Sequence, residues 1–228
     1  MAPARLKEEA GFTLVEELVA CVVGIVVILA ISSMMDIVPT LTARVQDRVD
    51  SAARARVAME QMARELRAQV CIGPSTPAIV SAQNNSVTFY AFTGIGAYAP
   101  QMHTIAWDPA SNRITDAAYA GTGSPPAMTF ASSPTQVSTL LTNVVPENGA
   151  PLFTYYAYST TPPVAPTVQQ ATPVSGSATA GIARIAIKFV ARPASNPTSA
   201  QSTTLEDDVY VRTWNPDAAN GPATPPCV

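Results

Sequence analysis

Histidine is almost missing from this chain: among 228 residues there is one, His103. Zinc sites draw on clustered Cys and His, and one His with three scattered Cys makes no such cluster. A Ser-His-Asp arrangement would have to use His103, yet the plentiful serines show no G-x-S-x-G elbow or other nucleophile context. His103 precedes a β-rich run and is expected at a strand edge. No glycine-rich phosphate loop is present. Catalytic residues, metal ligands and a cofactor are therefore not expected, and the chain reads as a non-enzyme.

Charge is also scarce, at 13% Asp, Glu, Lys and Arg with a net charge of −3. No basic tract stands outside a helix, so composition lends nucleic-acid binding no electrostatic support. Proline, by contrast, is frequent at 21 residues, and Ala, Thr and Ser crowd the second half. That balance suits an exported, loop-rich domain. Cys21 lies inside an apolar run, whereas Cys71 and Cys227 lie beyond it. If the part after the run is exported, Cys71 and Cys227 are the candidates for a disulfide. Such a bridge would close a very long loop and contribute roughly 4–5 kcal/mol in the chain-entropy model. Two free buried thiols are the alternative.

The apolar run itself is "LVACVVGIVVILAISSMMDIV", residues 18–38. As a helix it is roughly 31 Å long, about one hydrocarbon thickness. Asp36 falls near its outer end, within reach of water, and Pro39 follows. Arg5 and Lys7 precede the run and favour retention of the amino terminus in the cytoplasm, which places the residues after about 39 outside. A Sec signal peptide cut at Ala30-Ile31-Ser32 is the rival reading, but the helical pattern runs straight through that point. Two carboxylates, Glu16 and Glu17, stand at the start of the run, where lipid is a poor solvent for charge. Thr13-Leu14-Val15-Glu16 fits a capping box in which Glu16 bonds the backbone N–H of Thr13. The box explains Thr13 and Glu16 but not Gly11-Phe12 before them.

Gly11-Phe12-Thr13-Leu14-Val15-Glu16, followed by an apolar helix, resembles the prepilin cleavage and methylation motif of type IV pilins and type II secretion pseudopilins. The resemblance implies that a prepilin peptidase cuts between Gly11 and Phe12 and methylates the amine of Phe12. It implies that Glu16, on a helix stored in the lipid bilayer, then meets the freed amine of an adjacent pilin or pseudopilin subunit at an inner-membrane assembly platform. Glu17 departs from the family pattern, which has a hydrophobic residue there. It points about 100° away from Glu16 around the helix and is expected to reach the cytoplasmic interface. Many members carry a proline where Ser33 stands, so any break in this helix is expected further out, at Pro39.

After Pro39, Leu41, Val45, Val49, Ala52, Ala55, Met59, Met62, Leu66 and Val70 recur at intervals of three or four, one apolar stripe on a helix. The other face carries Arg44, Arg48, Arg54, Arg56, Arg64 and Arg67 among Asp47, Asp50, Glu60 and Glu65. The stripe is expected to pack on a sheet and the arginine face to meet solvent or a filament neighbour. Gly73-Pro74 is expected to stop the helix. From Phe12 to about Ile72 this makes one nearly continuous helix of roughly 90 Å.

Beyond Gly73 the pattern turns to short β-rich runs. These are "SVTFYAF", the hairpin "HTIAWDPASNRITDAAY" turning at residues 108–112, "AMTF", "PLFTYYAY", "IARIAIKFVAR" and "DDVYVRTW". In the fifth run Ile185, Ile187 and Phe189 alternate with Arg184 and Lys188, as a half-buried strand requires. Residues 162–181 and 193–204 are expected as surface loops. The order of the later runs resembles the globular half of PilW-like minor pilins and J-type pseudopilins. Because some pseudopilins bind calcium, Glu206, Asp207, Asp208 and Asp217 form a possible calcium set, the alternative being a charged loop before a strand.

The expected fold class is α+β, a pilin-like fold with a long amino-terminal helix packed on an antiparallel sheet. Residues 1–11 form the leader, 12–39 the membrane half of the helix, 40–72 its amphipathic half and 73–228 the exported domain. The implied function is a structural subunit, a minor pilin or pseudopilin, of a type IV pilus-like or type II secretion-like filament, with pilus biogenesis, protein secretion and DNA uptake as its possible tasks. The alternative is a membrane-anchored or Sec-processed ligand-binding domain that does not polymerise.

Overall fold

Thr13 opens a single helix, α1 (Leu14–Arg67). The computed structural model describes residues 13–73, 76–92, 100–159, 165–194 and 202–211. The chain divides into two compact units, Met1–Gln46 and Asp47–Val228. In the first, residues Leu14–Met35 are long and apolar enough to cross a membrane. None of these residues is buried. Their 22 residues span roughly 33 Å of helix. The apolar side chains point in every direction, the pattern of a helix whose surroundings are apolar all round.

In the second unit α1 has sides. Ser51, Ala55, Ala58, Met59, Met62, Ala63 and Leu66 are buried, at steps of one, three or four residues. All six arginines named above are exposed. The expected stripe is shorter than its sequence pattern, because Leu41, Val45 and Val49 are exposed along with Val57. Apolar spacing marks a face that can be covered, and burial on this face begins at Ser51.

The helix also ends earlier than Gly73-Pro74 would have it, at Arg67. The backbone beyond is taken up by a strand: Val70 N–H donates to the Tyr90 carbonyl at 2.9 Å, Phe92 N–H donates to Ala68, and Gln69 bridges to Ala91. Sheet pairing thus overrides a helical periodicity that still included Val70. Cys71, in this segment, is disulfide-bonded, and Cys21 is free and exposed. Cys227, the partner expected from the sequence, lies outside the described residues, as do Gly11 and Phe12.

Beyond the helix, the described residues of this unit are mainly antiparallel β-structure. Its strands are β1 (Ile79–Ala82), β2 (Ser86–Ala91), β3 (Gln101–Asp108), β4 (Arg113–Tyr119), β5 (Gly121–Ser124), β6 (Ala127–Phe130), β7 (Gln136–Thr142), β8 (Val144–Val145), β9 (Phe153–Ala157), β10 (Val168–Gln169), β11 (Val174–Ser175), β12 (Arg184–Ala191) and β13 (Thr203–Tyr210). One sheet runs β11-β1-β2-β3-β4-β7 and a second runs β10-β9-β12-β13, with β8 also on β12. The strands β5 and β6 form a separate ribbon. The architecture is therefore α+β: an apolar amino-terminal helix and an antiparallel β-sheet domain.

Alternation explains the strands. On β12, Ile185, Ile187, Phe189 and Ala191 are buried while the residues between them are partly exposed, as the sequence pattern predicts. The two sheets share one apolar cluster with the helix, including Met62, Phe89, Ile114, Phe153 and Phe189. Tyr155 joins them by a polar contact: its buried hydroxyl donates to the carbonyls of Gln83 and Ser86 at 2.9 and 3.1 Å. Asn112, at the end of the β3–β4 turn, has φ of 50°, a conformation Asn tolerates better than most residues. Asp108 opens that turn, accepting bonds from the backbone N–H of Ala110 and the hydroxyl of Ser111.

Residues 162–181 are more than a surface loop. They contribute β10, β11 and the 3-10 segment Gly176–Gly181, and they bury Val174 and Thr179. Proline and threonine content marks irregular backbone, but β10 and β11 are two-residue pairings that add an edge to each sheet. Strands that short carry no detectable alternation. The last expected strand also begins earlier, at Thr203, and ends at Tyr210.

Candidate functional site

At the helix start the expected capping box is present. Glu16 Oε2 accepts from the Thr13 backbone N–H at 3.2 Å and from the Thr13 hydroxyl at 3.1 Å. The Thr13 hydroxyl oxygen in turn accepts from the Glu16 N–H at 3.4 Å. These reciprocal bonds occupy donors that the first helical turn leaves without partners. Two acids in that turn, Glu16 and Glu17, also oppose the positive end of the helix dipole. Among the described residues, Glu16 has no cation paired with it; its partners are on Thr13. The outcome is an exposed carboxylate at the head of an apolar stretch with no buried residue among those described.

A second polar constellation lies where α1 meets the six-stranded sheet. His103 is buried within β3, a central strand, rather than at a sheet edge. Its Nδ1 stands 3.1 Å from both Asp116 Oδ1 and Oδ2. In the β3–β4 register, Ile105 lies opposite Asp116 and Ala118 lies opposite His103. His103 and Asp116 are therefore diagonal neighbours on one face, the face that also buries Ile105, Ile114 and Ala118. Phe89, opposite His103 on β2, stacks on the imidazole with ring centroids 5.8 Å apart.

Glu65 reaches this pair from the helix. Donor atoms of Glu65, His103 and Asp116 all lie within 4.8 Å of one another. Sequence spacing put Glu65 on the charged face of α1, but its side chain turns to the sheet. One oxygen, Oε1, accepts from the Gln61 amide at 2.9 Å. The other, Oε2, is buried without a hydrogen-bond partner among the described residues, as are both amide atoms of Gln69. Burial raises the pKa of the Glu65 carboxyl above its ordinary value; the Gln61 bond opposes the shift, and the Asp116 charge adds to it.

The possible calcium set is not assembled by the described residues. Glu206 Oε2 is 3.1 Å from Lys188 Nζ, and Asp208 Oδ2 is 2.9 Å from Arg184, which also lies over the Tyr156 ring. Asp207 accepts from the Asp208 N–H. Cross-strand pairing thus engages two of these acids with cations, and Asp217 lies outside the described residues. Lys188 is further held by Glu147 at 2.9 Å.

Comparison of the chain with protein-family models, with curated proteins and with solved structures finds no match.

The sequence reading missed the Glu65–His103–Asp116 group, although two of its members carried a signal. In "RITDAAY" the period of two that turns Ile114 and Ala118 inward also turns Asp116 inward. A carboxylate at an inward position of a strand calls for a partner. The same alternation on β3 turns His103 in with Ile105. No pattern in the sequence joined Glu65 to them, since that depends on how the helix docks on the sheet.

Proposed function

We propose that this chain is a structural subunit, a minor pilin or pseudopilin, of a type IV pilus-like or type II secretion-like filament. The observation that carries the reading is the Glu16 carboxylate, capped among the described residues by Thr13, at the head of an apolar stretch whose described residues are not buried. A charge in that position is costly in lipid unless a counter-charge meets it. Cleavage between Gly11 and Phe12 by a prepilin peptidase would supply one, because it frees an ammonium that methylation leaves charged. The amine of one subunit then pairs with Glu16 of the next, and both charges are neutralised when subunits stand in register.

On this reading the domain has a pilin-like fold and no enzymatic activity. Before assembly the amino terminus is cytoplasmic, α1 crosses the bilayer once, and the domain is exported. Export agrees with the disulfide at Cys71, for which Cys227 is the proposed partner.

The amino terminus of the protein isolated from cells tests the reading. Mass spectrometry is expected to find N-methyl-Phe12. A chain that keeps Met1, or one that starts near Ser33 as signal-peptidase cleavage would leave it, overturns the proposal. Glu16→Ala is expected to insert into the membrane normally but to enter filaments poorly. If it is incorporated like the wild type, the charge pairing is wrong.

A further inference from the structure

We propose that Glu65, His103 and Asp116 form a binding site for a divalent ion of the zinc class, one that fastens α1 to β3 and β4. The proposal stands apart from filament assembly and holds for the domain whatever the helix start does.

Three observations carry it. The first is the donor set: one imidazole and two carboxylates from three different elements, with donor atoms within 4.8 Å of one another. Zinc bound through nitrogen and oxygen at about 2.0–2.2 Å holds tetrahedral ligands about 3.4 Å apart. The 3.1 Å between His103 Nδ1 and Asp116 is already close to that spacing, so the ion needs only a modest approach of Glu65. The second observation is the buried Glu65 Oε2, which has no hydrogen-bond partner among the described residues. A buried carboxylate oxygen is ordinarily satisfied, and a metal bond satisfies it. The third is charge. His103 is 4% and Asp116 is 7% exposed, and the fully buried Phe89 stacks on the imidazole. In their ligating forms, two carboxylates and one imidazole would sum to −2, and a divalent cation would bring that sum to zero in this apolar setting.

The donor set also selects the ion. Calcium takes six to eight oxygens and magnesium keeps a shell of water, so both are poorly served by an imidazole in an apolar wall. Imidazole with carboxylate suits zinc and its first-row neighbours. Three protein ligands leave a fourth tetrahedral position to water. Ligands drawn from helix and sheet make the ion a clasp: binding stabilises the docked helix over any state in which α1 has left the sheet.

The test uses the full chain in detergent micelles, stripped with a chelator and carrying Cys21→Ser to remove the free, exposed thiol. Zinc sulfate is titrated in by calorimetry while the imidazole resonances are followed by NMR. His103 is the single histidine, so its signals need no assignment. One equivalent of zinc is expected to bind, to shift the His103 resonances and to raise the melting midpoint. Glu65→Gln is expected to weaken binding by at least about 100-fold while leaving the circular dichroism of the domain unchanged. The proposal is overturned if one equivalent of zinc leaves the His103 resonances unmoved. It is equally overturned if folded Glu65→Gln binds zinc as tightly as the parent. The imidazole readout is taken with all three ligands intact, so it decides the matter even if the variant does not fold.

Discussion

Leu29 and Leu66 lie on the same helix, yet Leu29 is 64% exposed and Leu66 is fully buried. The stretch around Leu29 is apolar on all sides and rich in Val and Ile, and none of its described residues is buried. The stretch around Leu66 is apolar on one side, where Ala55, Ala58 and Ala63 let the strands approach closely, and carries arginine on the other. Hydrophobicity alone does not separate the two, because both are made of apolar residues at helical spacing. What separates them is how far around the helix the apolar surface extends. A full circumference asks for a solvent that is itself apolar, and a stripe asks for one partner.

The largest effect that should follow from this contrast comes from one substitution made twice. Leu66→Ala removes packed atoms from a core that cannot fully close over the gap, and should cost the domain about 2–5 kcal/mol. Leu29→Ala should leave domain stability unchanged. Denaturant titrations of both variants in detergent micelles, followed by tryptophan fluorescence, check this. Equal losses would mean that the apolar stretch belongs to the folded core after all.

A charge placed in each stretch asks the complementary question. Val26→Arg near the middle of Leu14–Met35 should oppose membrane insertion by about 2.5–3.5 kcal/mol. Val57→Arg, on an exposed position of the other stretch, should not alter membrane partitioning. Alkaline extraction of membranes reads both. If Val26→Arg is retained like the wild type, the stretch does not lie in lipid.

The same contrast governs how much of the molecule its sequence disclosed. The apolar stretch, the capping box at Thr13 and Glu16, and the inward residues of β12 each depend on neighbours close along the chain, and all three were legible. The early end of α1 was not, because the residues after Arg67 are held by Tyr90 and Ala91, about twenty positions away. Nor was the exposure of Leu41, Val45 and Val49, since a stripe does not say how far its cover extends. Two of the three members of the buried cluster were readable in principle: a strict alternation through Ile114 and Ala118 puts Asp116 inside, and the one through Ile105 does the same for His103. The contribution of Glu65 required the docked helix, where a position on the nominally charged face proves to border the sheet.

The smallest expected effect concerns how the domain shapes its own edge, something the uncovered stretch has no need to do. The Ser111 hydroxyl, foremost, and the Ala110 N–H both donate to the Asp108 carboxylate, and together they hold its pKa below the ordinary value. A carboxyl whose pKa is lower in the folded chain than in the unfolded one stabilises the fold while it is ionised in both. That contribution is whole above the ordinary Asp pKa and disappears as pH falls from there through the lower folded-state value. Asp108→Ala should therefore melt slightly below the wild type at neutral pH, with the gap closing on acidification through that window. Asp108→Asn keeps one acceptor oxygen for the turn without the charge, so it should recover part of the difference and show no titration of its own. Melting curves of the three proteins across that range settle the point. A gap between wild type and Asp108→Ala that persists below the window would assign the effect to turn geometry, with no contribution from the ionised carboxylate.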